Sequence, residues 1–301
     1  MNHAVIDLGS NTIRLVVFGF EDGKVTKVMN EKDAIGLAGY INDGVLSIDG
    51  IMKACKVVND LKKLALDVVE PSDIHLFATA SLRNVKNREE AVGIIADETS
   101  LTVDVLDGEE EGRLGFIGAK MSIDFDNGIL IDIGGASTEL VVFKNGNITD
   151  IASMPIGSLS LYRGHVSETM PTADERACIK QAVDEQLSEI GWAKDMRIKR
   201  MVGIGGTLRA AQKLMHAFFD LDEKDDIDAS RVKDLMKLLK GGDADVHHKL
   251  CKTIPDRVLT ICPGLIVLIQ VIKKFGCETV TVSGSGIRDG YLWSKVLKKD
   301  E

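Results

Sequence analysis

The spacing of apolar positions changes along this chain of 301 residues, and the changes mark its elements. Short β-branched or apolar runs at Val5–Ile6, Leu15–Phe18, Ile74–Thr79, Leu101–Leu106, Ile129–Ile133, Leu140–Phe143, Met201–Ile204 and Val280–Val282 predict strands. Between Gly50 and Val69 the apolar residues Ile51, Ala54, Val57, Val58, Leu61, Leu64 and Ala65 recur at helical spacing. Residues 88–98, 108–120, 172–190, 208–219 and 229–239 also read as helices. The longest apolar run, Ile261–Ile272, is too short for a membrane span and contains Pro263 and Gly264.

An internal repeat organises these elements. IDLGSNTIRLVVF over residues 6–18 aligns without gaps on IDIGGASTELVVF over residues 131–143, with seven of thirteen positions identical at an offset of 125. Chance likeness of two strands would match the Val and Leu positions, but not the Asp and the Gly two residues later. Each copy reads as strand, glycine turn, strand, and each second strand runs to a turn signal, Glu21-Asp22-Gly23 or Lys144-Asn145-Gly146. The expected fold is α/β, with two similar domains at 1–120 and 121–301 facing a central cleft. The last helix is a candidate to pack back on the first domain.

Composition and charge narrow the chemistry. At 45% hydrophobic and 28% charged, the chain is neither collagen-like nor disordered. The net charge of −9 argues against broad nucleic-acid binding, and it divides unevenly, −7 over residues 1–120 and −2 over the rest. A polyanion must then be received by placed amides, a metal and a few cations. Five cysteines without a CxxC pair argue for reduced thiols and against zinc. No basic segment precedes a long apolar stretch at the N-terminus, so no signal peptide is expected; the expected setting is cytoplasmic, with no membrane partner.

The turns supply the candidate chemistry. Glycine lets backbone amides approach a ligand, and successive amides make a nest for phosphate oxygens. The turns at Gly9 and Gly134–Gly135 offer such nests, with hydroxyls from Ser10, Thr12, Ser137 and Thr138 as neutral donors. Asp7 and Asp132 beside them would repel phosphate and are suited instead to hold Mg²⁺. Gly205-Gly206-Thr207 and Ser283-Gly284-Ser285-Gly286 each end a further strand. One such string is an ordinary hairpin; four together favour phosphate binding.

The residues also carry a resemblance. IDLGSNT (6–12), ATASLRN (78–84), DGEEEGRLGFIGA (107–119), ILIDIGGASTELVVF (129–143), MPIGSLSL (154–161), VGIGGTLRA (202–210) and SGSGIRDGYL (283–292) resemble, in order, the motifs of the Ppx/GppA family of exopolyphosphatases and guanosine pentaphosphate phosphohydrolases. That family belongs to the actin, sugar kinase and Hsp70 superfamily of duplicated, ribonuclease-H-like domains, here in a short two-domain form. The resemblance implies Glu111 as the base that activates water. It implies Asp7, Ser10 and Asn11 as a first phosphate and metal loop, and Asp132, Gly134, Ser137 and Glu139 as a second. Arg83 would reach the phosphates, and Gly205, Gly206 and Thr207 would continue the wall. Mg²⁺ is the expected metal, Mn²⁺ an alternative, and a homodimer follows only from the resemblance. Ala136 departs from a usual Gly, and Asp289 from a usual Glu.

Physical chemistry supports those roles separately. Phosphoanhydride hydrolysis needs charge neutralisation and a positioned water more than covalent help. Glu109 and Glu110 read as a solvated helix start; Glu111 reads as the base. Two basic sets, Lys194–Lys213 and His247–Arg257, are tail-binding candidates or plain solvated faces, and His247-His248 cannot face one metal from a helix. Scattered methionines, Met52, Met121, Met196, Met201, Met215 and Met236, read as core filler. The leading expectation is an exopolyphosphatase, with guanosine pentaphosphate hydrolysis second. A superfamily kinase and a non-catalytic polyphosphate or nucleotide sensor follow.

Overall fold

A computed structural model describes residues 2–21, 24–220 and 226–298. The turn residues Asp22–Gly23, and residues 221–225 of the expected acidic loop, lie outside them. The chain divides into two compact units, Met1–Glu111 with Tyr291–Glu301, and Gly112–Gly290. The break falls inside a helix, nine residues before Lys120, because helical periodicity runs through it unbroken. Mixed α/β architecture holds in both units.

The first unit contains β1 (Asn2–Leu8), β2 (Ile13–Glu21), β3 (Lys24–Asp33), the small hairpin β4 (Ile41–Asn42) and β5 (Val45–Leu46), then β6 (Ile74–Ala78) and β7 (Val103–Val105). Its main sheet has the order β3-β2-β1-β6-β7, antiparallel across β3-β2-β1 and parallel across β1-β6-β7. Helices α1 (Ile48–Ala65), α2 (Ala80–Arg83) and α3 (Arg88–Thr99) follow the chain between strands, and α4 (Gly108–Lys120) begins here. Ser47 caps α1 by accepting the Gly50 amide at 3.3 Å. The inward stripe of α1 covers one sheet face, with Ala4, Ile6, Leu8, Ile13 and Leu15 beneath it. Leu64, expected in that stripe, is exposed. The opposite face receives the C-terminal segment, where Tyr291 stacks on Phe77 at 4.7 Å and its hydroxyl donates to Asp104 at 3.2 Å.

The second unit repeats the plan. Strands β8 (Gly128–Ile133), β9 (Thr138–Lys144), β10 (Asn147–Met154), β11 (Arg200–Ile204), β12 (Ile227–Asp228) and β13 (Thr279–Val282) form the order β10-β9-β8-β11-β13-β12. The β9–β10 turn has Asn145 at φ 51° and Gly146 at φ 73°, the left-handed pair that suits the twist of a hairpin. One face carries α5 (Ser158–His165), α6 (Ala173–Glu189), α7 (Gly205–Phe219), α8 (Ala229–Lys240), α9 (Ala244–Thr253) and α10 (Ile261–Phe275) around a single core. The remainder of α4 and α11 (Ile287–Tyr291) cross in backbone contact, since a Cβ on Gly118 would fall 1.9 Å from the Gly286 carbonyl oxygen. The buried side chains Phe116, Leu130, Val141 and Ile204 join α4 to the second face of the sheet.

The run Ile261–Ile272 is thus a core helix, apolar all round because other helices surround it. Two methionines read as filler are not: Met52, on the outer side of α1, is 43% exposed and Met121, just past α4, is 40% exposed. Among the described residues, no helix is long and apolar enough to cross a membrane.

Candidate active site

In the first unit, the carboxyl ends of β1, β6 and β7 lie side by side. Gly9 closes the β1–β2 turn with its amide on the Thr12 carbonyl at 3.2 Å. A Cβ at Gly9 would sit 2.9 Å from that oxygen. Gly36 and Ala38 donate to the carbonyls of Asn11 and Ser10 at 3.0 Å each, which fixes the turn from its outer side. No backbone acceptor is found for the amides of Ser10 and Asn11 among the described residues. The Ser81 hydroxyl donates to the Leu8 carbonyl, and the Leu106 amide donates to the Ala78 carbonyl at 2.9 Å, so the three strand ends are tied in a row.

Glu111 stands at the end of this row. Asp107 caps α4 by accepting the Glu110 amide at 2.8 Å, which starts the helix one turn before Glu111. Arg83 Nη1 donates to Glu111 Oε2 at 2.7 Å and to the Leu106 carbonyl at 3.2 Å. Both side chains are largely covered, 15% and 11% exposed, so the bond is charge-assisted and partly shielded from water. Glu109 is exposed, as a solvated helix start requires. Glu110 differs: it pairs with Lys295 of the C-terminal segment.

In the second unit the same construction recurs. Gly134 donates to the Ser137 carbonyl at 3.0 Å, and the amides of Gly135 and Ala136 have no backbone acceptor among the described residues. Ala136 takes no positive φ, so a side chain there is compatible with the turn. The start of α5 grips the turn from behind: the Ser158 amide and hydroxyl meet the Gly134 carbonyl at 2.9 and 3.0 Å, and Leu159 and Ser160 donate to the Gly135 carbonyl. A Cβ at Gly157 would sit 2.5 Å from Gly135 C, so this approach needs glycine.

Asp132 and Glu139 are direct partners across β8 and β9, and Glu139 is 1% exposed with Oε1 accepting from Ser153 Oγ at 2.8 Å. Like charges directly opposite destabilise a sheet, and a cation between them removes that cost. Asp132 also lies against Gly205, whose φ of 81° and missing Cβ allow the approach; a Cβ there would fall 2.1 Å from Asp132 Oδ1. Gly205 and Gly206 are the first residues of α7, not the loop before it, so its N-terminal amides and positive dipole end open at Asp132. The hydroxyls of Thr138 and Thr207 donate at 2.8 Å to the carbonyls of Ile156 and Ile133, which gives them a tie within the scaffold. Ser137 is 2% exposed.

Arg257 is the residue that sequence reasoning missed. The basic set His247–Arg257 predicts a tail-binding or solvated charge there, yet Arg257 is only partly exposed, and a Cβ at Gly206 would fall 2.0 Å from its guanidinium. Burial pulls its pKa down, while Asp132 and Asp256 act the other way. The one available signal was its position between Pro255 and the apolar run, which is not the setting of a free surface charge.

Among the described residues, no group of three or more His, Cys, Asp or Glu side chains is placed to hold a metal ion. Asp132 with Glu139 nevertheless fits Mg²⁺, which accepts one or two carboxylates and fills its remaining positions with water and phosphate oxygens. Bound there, it would neutralise charge on phosphate oxygens.

The sequence model of the Ppx/GppA phosphatase family matches residues 16–299. The chain belongs to the Ppx/GppA phosphatase family. It is 27% identical over 303 residues to the guanosine-5'-triphosphate,3'-diphosphate pyrophosphatase of Vibrio cholerae, covering 98% of this chain and 59% of that protein. The chain therefore spans about three-fifths of the length of the curated relatives it matches. The solved Aquifex aeolicus Ppx/GppA family member is 26% identical, with a TM-score of 0.81 over 100% of this chain and 99% of that one. A Cytophaga hutchinsonii exopolyphosphatase structure shares the fold, with a TM-score of 0.86, 22% identity, and coverage of 100% and 99%.

Proposed function

We propose that this protein hydrolyses the terminal phosphoanhydride of inorganic polyphosphate with Mg²⁺, using a water activated by Glu111. The observation that carries the reading is the Arg83–Glu111 pair at 2.7 Å, set at the strand ends beside the Ser10 turn. Glu111 orients the water and takes its proton as the water oxygen bonds to the terminal phosphorus. The bridging P–O bond breaks, giving orthophosphate and a chain one phosphate shorter. Arg83 is suited to two tasks in turn: it holds Glu111 before substrate arrives, then shares its guanidinium with the entering phosphate. In the first unit the amides of Ser10 and Asn11 supply neutral donors to the remaining oxygens. The second unit has donors of its own in the amides of Gly135 and Ala136 and the start of α7, with Arg257 beside Gly206 as a cation. Asp132 and Glu139, opposite each other across β8 and β9, would hold the metal.

A second reading, removal of the 5'-terminal phosphate of guanosine pentaphosphate, is favoured by the name of the Vibrio cholerae relative. It uses the same residues on a nucleotide-borne chain.

Phosphate release with Mg²⁺ from short polyphosphate, long polyphosphate, guanosine pentaphosphate and ATP distinguishes the two. The expected result is release from polyphosphate that Glu111→Gln lowers by about 10²–10⁴-fold, the usual contribution of a general base, with polyphosphate binding retained. Faster turnover of guanosine pentaphosphate selects the second reading. Binding without release from any of the four by the wild-type protein overturns both.

A further inference from the structure

A cavity of about 150 Å³ lies within the second unit, at the meeting of α6, α8, α9 and α10. Its floor includes the buried side chains Leu239, Leu250 and Cys262. Its polar lining carries two cations, Arg176 from the first turn of α6 and Lys240 from the end of α8, with the His247 imidazole on α9 beside them. Among the described residues, the Lys240 and His247 side chains have no hydrogen-bond or ion-pair partner. Arg176 donates one bond, to the Pro171 carbonyl at 2.6 Å, which fixes its guanidinium at the cavity wall. Asp243 lines the cavity too, but its Oδ1 accepts the Asp245 and Val246 amides at 2.8 and 3.3 Å and caps α9.

An apolar chamber with a few convergent polar groups is the usual form of a small-molecule site. A cavity of this volume takes a molecule about the size of benzene, and this one opens to solvent along the exposed Lys240, Asp243 and His247. Orthophosphate alone would leave an apolar floor against its oxygens, and a hydrocarbon alone would leave the cations unused. We propose that this cavity binds a small organic anion, a carboxylate on a ring-sized apolar body, with the body on Leu239, Leu250 and Cys262 and the carboxylate toward Arg176, Lys240 and His247. The fields of Arg176 and Lys240 do reach the floor: burial pushes the Cys262 thiol up to about 12, and those two cations oppose the push. The site does not depend on the phosphohydrolase reading, because none of its residues belongs to the turns described above.

Benzoate, benzyl alcohol and orthophosphate are the probes, titrated into the full chain by calorimetry and by NMR. The expected result is saturable 1:1 binding of benzoate, at least about tenfold weaker binding of benzyl alcohol, and none of orthophosphate at this site. Lys240→Gln, an exposed position, and Arg176→Gln should each weaken benzoate by about tenfold, the scale of one charge-assisted hydrogen bond. Val246→Phe, which fills the chamber, should abolish binding with thermal stability retained. Absence of saturable benzoate binding to the wild-type protein overturns the proposal. So does equal binding of benzyl alcohol, binding of orthophosphate that Lys240→Gln weakens, or benzoate binding unchanged in Lys240→Gln and Val246→Phe.

Discussion

The two glycine turns share a scaffold and differ in charge. Gly9 on Thr12 and Gly134 on Ser137 are the same bond at an offset of 125 residues. Ser81 on the Leu8 carbonyl and Thr207 on the Ile133 carbonyl are also equivalent, each tying the helix after the next parallel strand to the turn. The residue opposite the aspartate is not equivalent. Asp7 faces Arg14 across β1 and β2, and Arg14 Nη1 donates to Asn30 at 2.9 Å, whereas Asp132 faces Glu139. The first turn thus has a cation opposite its aspartate, where the second has another carboxylate. A duplicated fold keeps its hydrogen-bonded frame because losing a buried bond is costly, while a cross-strand side chain is free to change the electrostatics. A metal, where one binds, would therefore be drawn to the second turn.

The largest effect should come from reversing that difference. Glu139→Gln and Asp132→Asn each remove a charge from the pair, and each should raise the Mg²⁺ concentration needed for half-maximal phosphate release by about a hundredfold or more, since outer partners of metal ligands alone cost about 10–100-fold. Asp7→Asn should raise it less, because Arg14 already balances the site. Equal effects at Asp7 and Asp132 would remove the asymmetry argued above. Double substitution at Asp132 and Glu139 should restore stability lost to repulsion without restoring activity, a separation read by thermal melting alongside phosphate release.

Backbone tests come next. Gly205→Ala puts a Cβ 2.1 Å from Asp132 Oδ1 in a residue at φ 81°, so strain and clash add; Gly134→Ala puts one 3.2 Å from the Ser137 carbonyl oxygen without positive φ. Gly205→Ala should cost about 2 kcal/mol or more, from left-handed strain of about 1–2 kcal/mol plus displacement of Asp132. Gly134→Ala should cost about half that or less. Chemical denaturation of each variant measures the difference; a larger loss at Gly134 would mean that the first β8 turn residue, not the start of α7, fixes Asp132.

Much of this is legible in the sequence. The repeat was readable because a turn between paired strands constrains residue type at Asp, Gly and the apolar positions together, and register carries that constraint across the whole hairpin. Glu111 stood out only beside its family motif, since GEEEGR alone fits a solvated helix start, and its pairing with Arg83 is not local in sequence. Three features were hidden for physical reasons. Arg257 sits in a stretch rich in Lys and His, so its burial against Gly206 depends on tertiary contact that local charge cannot report. The break between units lies inside α4, where an uninterrupted helix leaves no linker to detect. The pairing of Glu110 with Lys295 joins residues 185 positions apart, beyond any local pattern.

The smallest effect sharpens the comparison at the far end of the sheets. In the first unit His75 on β6 lies near His3 on β1, with ring centroids 5.8 Å apart, Phe20 packed edge-on against His3, and Asp73 3.5 Å from His3 Nδ1. By strand register the corresponding residues of the second unit are Gly128 and Val202, which do not titrate. Burial first, and His3 second, lower the His75 pKa from its ordinary 6.5, while Asp73 opposes them. The unfolded chain therefore takes up a proton below pH 6.5 that the folded chain resists. The stability contribution is complete above 6.5 and is lost as pH falls through the lowered folded value, with a slope of at most about 1.4 kcal/mol per pH unit for one proton. Thermal melting of the wild-type protein between pH 8 and pH 5.5 should show this decline, and His75→Gln should flatten it. An unchanged slope in His75→Gln would place the titration elsewhere and leave the two sheets alike in their response to acid.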